Sequence, residues 1–157
     1  MQPNREFTRA QLETLLTSVL DRTLGEVDVK GVFEITKEKP LVKGIAGDVI
    51  EQSVLGYSKD SDPLPDIVVD GIETEVKTTG IVRPKKDNAD VLYEAKEPVS
   101  VTAVAIDKIV SQTFETSTFW HKLSHLLFVY YFLLKNYIFY LNYLLLIENL
   151  FHYQKDR

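Results

Sequence analysis

Asp66-Ile67-Val68-Val69-Asp70-Gly71-Ile72-Glu73-Thr74-Glu75-Val76-Lys77 reads as a β-hairpin. Ile67 to Val69 are a short apolar strand, and Ile72 to Lys77 run back. Asp70-Gly71 between them is the strongest two-residue hairpin signal, because both turn positions require φ > 0. A two-residue loop fixes the register: Val69 opposite Ile72, Val68 opposite Glu73, Ile67 opposite Thr74, and Asp66 opposite Glu75. The last pair sets two carboxylates about 5 Å apart at Cβ. Lys77 shares the face of Glu75, because side chains on a strand alternate with a period of two. Opposed like charges destabilise an ordinary hairpin. A divalent cation with an ammonium beside it would relieve them. Mg²⁺ in particular takes one or two carboxylates and keeps room for phosphate and water.

That is the chemistry of a metal-dependent nuclease. The metal polarises the phosphate and lowers the pKa of bound water, and the lysine orients that water or stabilises the developing charge. Pro65-Asp66…Glu75-Val76-Lys77 resembles the PD-(D/E)xK nuclease signature. The competing reading is a solvated hairpin edge, and the hairpin by itself does not choose between them.

At 157 residues the chain is expected to form one domain, large enough for a sizeable core. It has no cysteine, which rules out disulfides and thiolate zinc sites and fits a reducing cytoplasm. Met1 to Arg9 is polar and lacks the apolar core of a signal peptide. A net charge of −5 runs against the basic footprint of most nucleic-acid binders, although a metal site needs local acid.

Around the hairpin, Thr8 to about Asp21 reads as an amphipathic helix. Thr8-x-x-Gln11 is its capping box, and Leu12, Leu15, Leu16, Val19 and Leu20 form one apolar stripe. Thr23-Leu24-Gly25-Glu26 reads as a tight turn, and Val32 to Ile35 as a short strand. Gly44 to Gly56 reads as a second helix closed by Gly56. On periodicity Glu51 is a solvated position of that helix. Tyr57 to Pro63 reads as a polar loop, Thr78 to Lys96 as a long charged loop, and Pro98 to Ile106 as a strand. In the charged loop Arg83, Lys85 and Lys86 cluster, either as a solvated surface or as contacts to DNA phosphates. A helix is expected to start near Ser117, followed by a buried strand over Leu126 to Phe132. His121 and His125 share a helical face, but Lys122 stands where a zincin needs glutamate, so zinc is not expected.

Four blocks in order resemble the MutH family of DNA endonucleases, which includes type II restriction enzymes cutting at GATC. They are Arg22-Thr23-Leu24-Gly25-Glu26, then Gly47-Asp48-Val49-Ile50-Glu51. Asp66 with Gly71-Ile72-Glu73-Thr74-Glu75-Val76-Lys77 follows, with two extra residues between the glycine and the glutamate. The last is Glu115-Thr116-Ser117…His121-Lys122-Leu123 before an apolar strand. The resemblance covers roughly Leu12 to Tyr131. It implies an α/β, restriction-endonuclease-like fold, with a mixed central sheet flanked by helices and truncated at the C-terminus. It implies metal-binding roles for Asp66 and Glu75 and a further active-site carboxylate in Glu51. It makes Lys77 the catalytic lysine and Lys122 a second active-site lysine. The implied cofactor is Mg²⁺, and the implied substrate is double-stranded DNA. The GATC restriction branch is the expected activity. A mismatch-repair nicking enzyme working with repair proteins is the alternative, and self-association on DNA is open.

Residues 1–131 are thus expected to form the nuclease domain. Residues 132–157, rich in Leu, Tyr, Phe and Asn, read as a non-matching apolar tail from truncation or a frameshift. Such a tail would favour self-association and would leave an inactive remnant as a further reading. Leu126 to Leu150 is long enough to span a membrane, but Lys135, Asn142 and Glu148 make that costly.

Overall fold

The computed structural model describes residues 5–37, 44–58, 64–84, 92–98, 100, 110–133 and 139–146. The elements in chain order begin with β1 (Glu6–Phe7), α1 (Arg9–Thr17), α2 (Leu24–Val27), α3 (Val32–Lys37) and α4 (Ile45–Val49). A π-helical turn (Ile50–Val54) continues α4. Then come β2 (Ile67–Val69), β3 (Ile72–Val82), β4 (Glu94–Ala95), α5 (Thr118–Leu123), β5 (Leu126–Leu133) and β6 (Phe139–Leu146). The sheet runs β1-β2-β3-β5-β6, with β4 paired to the far end of β3. β1 joins β2 and β5 joins β3 in parallel; the remaining pairs are antiparallel. The expected mixed α/β architecture is the observed one.

The hairpin forms in the expected register, Val69 with Ile72, Val68 with Glu73 and Ile67 with Thr74. Asp70 and Gly71 have φ of 49° and 81°, the two positive values of the tight turn. Asp70 also ties down the N-terminus: its N–H donates to the Phe7 carbonyl, and its carboxylate accepts from the Arg9 N–H. Thr8 and Gln11 cap α1 reciprocally, as their spacing requires. The core lies between the sheet and α1, α2 and α4, and includes Leu12, Leu16, Leu24, Val49, Ile50, Ile67, Val69, Val76 and Leu127.

Several local expectations are corrected. Thr23 to Glu26 is not a bare turn. Thr23 and Glu26 form a second capping box that starts the single-turn α2. Val32 to Ile35 is helical rather than extended. Asp28 accepts the N–H groups of both Val32 and Phe33 at 2.9 Å, and that cap outweighs the weak strand preference of β-branched residues. The Gly44–Gly56 helix changes pitch halfway: Leu55 N–H donates to the Ile50 carbonyl five residues back, the π-helical spacing. Gly56 then leaves the turn at φ 82°. Thr78 to Val82 belong to β3 rather than to a loop. Within the segment 132–157, Phe139–Leu146 pairs with β5 as β6. The strand expected over Pro98 to Ile106 lies almost wholly outside the described residues. Among the described residues no helix is long and apolar enough to cross a membrane.

Candidate active site

The site is built at the start of β2, where β3 continues past it. Main-chain N–H groups of β3 point alternately to its two neighbours. Glu75 N–H reaches the His125 carbonyl at 3.0 Å, at the head of β5. Val76 N–H points the other way, beyond Ile67, the first residue of β2. There the Asp66 side chain takes the place of a strand: its Oδ2 accepts from Val76 N–H at 2.8 Å. The ladder thus closes through a carboxylate, and Asp66 is held beside Glu75.

Glu75 is buried, at 2% exposure, although it is a carboxylate. Burial of a lone anion is costly unless it is paired and hydrogen-bonded. Two lysines supply the pairing. Lys77 Nζ lies 2.6 Å from Glu75 Oε1 and reaches it along the same strand face. Lys122 Nζ lies 3.3 Å from Oε1 and 3.2 Å from Oε2. Lys122 comes from α5, which Ser117 starts by accepting the Trp120 N–H. The parallel register sets Leu126 opposite Glu75, so the last turn of α5 sits over the carboxylate. Lys122, bland by periodicity, is therefore part of the cluster.

The electrostatics of Asp66 record the crowding. Its carboxyl titrates above the ordinary range, first because it is largely buried and next because Glu75 is near. The Val76 N–H, Lys122 and Lys77 oppose this without cancelling it. Glu51 sits half-buried in the π-helical turn, its Oε1 near Gly47 and its main-chain carbonyl accepting from the Tyr57 N–H. Burial holds the Tyr57 phenol in its protonated form, and the charges of Asp66, Glu51 and Glu75 add to that. Among the described residues no group of three or more acidic or histidine side chains is close enough to form a ready-made metal cage. Lys77 also lines an open cleft of about 670 Å³, together with Gly47, Thr78, Lys96 and Tyr131.

Arg83 follows the end of β3 and is exposed, away from the carboxylates. Lys85 and Lys86 lie outside the described residues. Tyr57 was missed by the sequence reading, which placed it at the start of a polar loop; it is 2% exposed. The apolar run Val54-Leu55 just before it was the one signal pointing inward.

Residues 55–156 match the family described as MutH, DNA mismatch repair enzyme. The chain belongs to the MutH family. Asp66, Glu75, Lys77 and Lys122 all fall within the matched span, as do β5 and β6; Glu51 and the Arg22–Glu26 block precede it. No curated protein matches the chain. MutH proteins are DNA endonucleases, so membership assigns this chain to nucleases acting on DNA. In the cluster of Asp66, Glu75, Lys77 and Lys122, acid and base from separate segments of the chain meet around one carboxylate.

Proposed function

We propose that this chain is a Mg²⁺-dependent endodeoxyribonuclease that hydrolyses phosphodiester bonds of double-stranded DNA at GATC sequences. The observation that carries the reading is the convergence of Lys77 and Lys122 on Glu75, with Asp66 fixed alongside. A structural ion pair needs one lysine. Two lysines around a carboxylate, with a second carboxylate of raised pKa next to it, form a site poised between charge states, as hydrolytic centres require.

The donor set fits a hard divalent cation. Mg²⁺ is held through one or two carboxylates and keeps waters and substrate phosphate in its remaining positions, so a cage of three acidic side chains is not needed. Asp66 and Glu75 would hold it, with Glu51 as a further carboxylate. When bound, it supplies Lewis-acid stabilisation of the phosphate and a more acidic water. Lys77, on the wall of the open cleft, donates from Nζ to the attacking water and to the phosphate oxygens as charge builds on them. Lys122, in contact with both Glu75 oxygens, keeps that carboxylate oriented. Arg83, Lys85 and Lys86 contact the DNA backbone, which positions the duplex without reading its sequence.

Cleavage of a supercoiled plasmid carrying GATC sites tests the reading. Wild-type protein with Mg²⁺ converts it, and Lys77→Ala reduces the rate by about 10²-fold or more. Equal cleavage by both would remove Lys77 from the chemistry. A second reading, nicking in mismatch repair alongside repair proteins, is favoured by the description of the matched family. Linear product supports the restriction reading; open-circular product that accumulates only with repair partners supports the other.

A further inference from the structure

The open cleft beside the site continues along β3, away from the carboxylates. Lys77 lines it. Gly47 lines it too, and a Cβ on Gly47 would lie 3.9 Å from Glu51 Oε1 and 4.0 Å from Thr78 Oγ1. The cleft therefore opens onto the candidate active site. Further along β3 the lining reaches Gly80, and Lys96 stands beside it.

Lys96 is held there by its main chain. β4 pairs Ala95 with Ile81, and the Lys96 N–H donates to the Gly80 carbonyl at 2.8 Å. The side chain is 54% exposed. Its contact with Glu97, itself 78% exposed, is 3.8 Å long, beyond hydrogen-bond distance and worth little in water. The result is a solvated ammonium on an anchored stem in the wall of a cleft that has no charge-assisted bond holding that ammonium back. The chain carries a net charge of −5, so two lysines in one cleft are a local feature and not a share of a basic surface. Thr78 and Thr79 lie between them on β3, and hydroxyl side chains, like lysines, are regular partners of DNA phosphates. Lys77 and Gly80 are about 10 Å apart along the strand, and B-DNA rises about 3.4 Å per nucleotide, which separates the two lysines by about three nucleotides.

We propose that Lys96 is a further DNA-backbone contact: its ammonium binds a phosphate about three nucleotides from the scissile one and so directs the strand along this cleft. The inference rests on the nuclease reading above and adds the path of the DNA beyond the site. Glu97 lines the same cleft and opposes the contact, because its carboxylate competes for Lys96 and repels phosphate.

The test measures binding of the full chain to a fluorescein-labelled duplex carrying one GATC site, by anisotropy against salt with Ca²⁺ in place of Mg²⁺. Lys96→Gln keeps a long polar stem and removes the charge. It is expected to weaken binding by about 3–10-fold and to lower the salt slope by about 1, and Lys96→Arg restores both. Glu97→Gln is expected to tighten binding, by up to about fivefold. A neutral methylphosphonate walked along each strand locates the contact. One position about three nucleotides from the cut weakens the wild type and has no further effect on Lys96→Gln. Wild-type affinity and slope in Lys96→Gln, or an equal methylphosphonate penalty in both chains at every position, overturns the proposal and leaves the nuclease reading standing. If the wild type neither binds the duplex nor cuts plasmid with Mg²⁺, the nuclease reading fails and takes the Lys96 contact with it.

Discussion

Replacing Lys122 by methionine isolates the long-range half of the Glu75 cluster. Lys122 and Glu75 are 47 residues apart and meet through two contacts of 3.2 and 3.3 Å, with side-chain exposures of 16% and 3%. Breaking a buried pair so that one charge is left alone costs about 3–5 kcal/mol. Here Glu75 is not left alone, because Lys77 remains at 2.6 Å. What is lost is one charge-assisted hydrogen bond, and the ammonium keeps some water. The methionine stem also retains most of the apolar packing. The net cost is about 1–2 kcal/mol, or about 2–8 °C in melting temperature for a chain of this size. Glu75→Gln removes the negative charge that both lysines neutralise, keeps only one acceptor oxygen, and leaves two ammonium groups facing each other, so it costs about 3–5 kcal/mol. The background dependence is the sharper forecast. In the Glu75→Gln chain, Lys122→Met relieves a like-charge contact and should be neutral or stabilising. Urea unfolding of the four chains closes the double-mutant cycle. Additive effects, with Lys122→Met costing the same in both backgrounds, would show that the two side chains do not interact, and the geometry of the site would have to be abandoned.

Asp66→Asn preserves an oxygen for the Val76 N–H and removes a carboxylate whose folded pKa is raised by burial and by Glu75. A raised acid favours folding only as it takes up a proton, so ionised Asp66 opposes folding at neutral pH and the opposition fades as pH falls through its folded pKa. The variant should therefore be more stable than wild type at neutral pH, lose that advantage toward acid, and cut no DNA; chemical denaturation across pH with a plasmid assay checks all three. Arg83→Ala should weaken binding to any duplex alike and lower the salt slope by about 1, measured by fluorescence anisotropy against salt. At Gly80 a Cβ would sit 3.0 Å from the Tyr131 ring and 3.1 Å from Leu133, so Gly80→Ala should cost about 1–3 kcal/mol by thermal unfolding, and an unchanged melting temperature would mean that β3 and β5 pack more loosely there.

What was legible in the sequence was local. Asp70-Gly71 sets the turn, the turn length sets the register, and the register brings Asp66 to Glu75 with Lys77 on the same face. Each of these steps depends on backbone chemistry within a few residues, so no knowledge of the rest of the fold is needed. The Thr8–Gln11 cap is readable for the same reason. Where two local signals competed, the reading failed. The β-branched Val32 to Ile35 suggested a strand, and Asp28, a few residues upstream, decided for helix through a cap whose geometry a residue count does not reveal.

Only the tertiary structure decided the remainder. Glu51 and Lys122 entered the sequence reading through resemblance alone, because their own spacing looked solvated. Lys122 reaches Glu75 because a parallel crossover between β3 and β5 sets α5 above the strand, and a crossover's landing point is a property of the whole sheet. Tyr57 reads as the start of a loop and becomes a buried phenol because Arg5, far upstream, closes over its ring. The sequence specifies which charges sit on which strand face. Packing alone determines which of them are taken out of water together, and that shared burial turns a charged hairpin edge into a site.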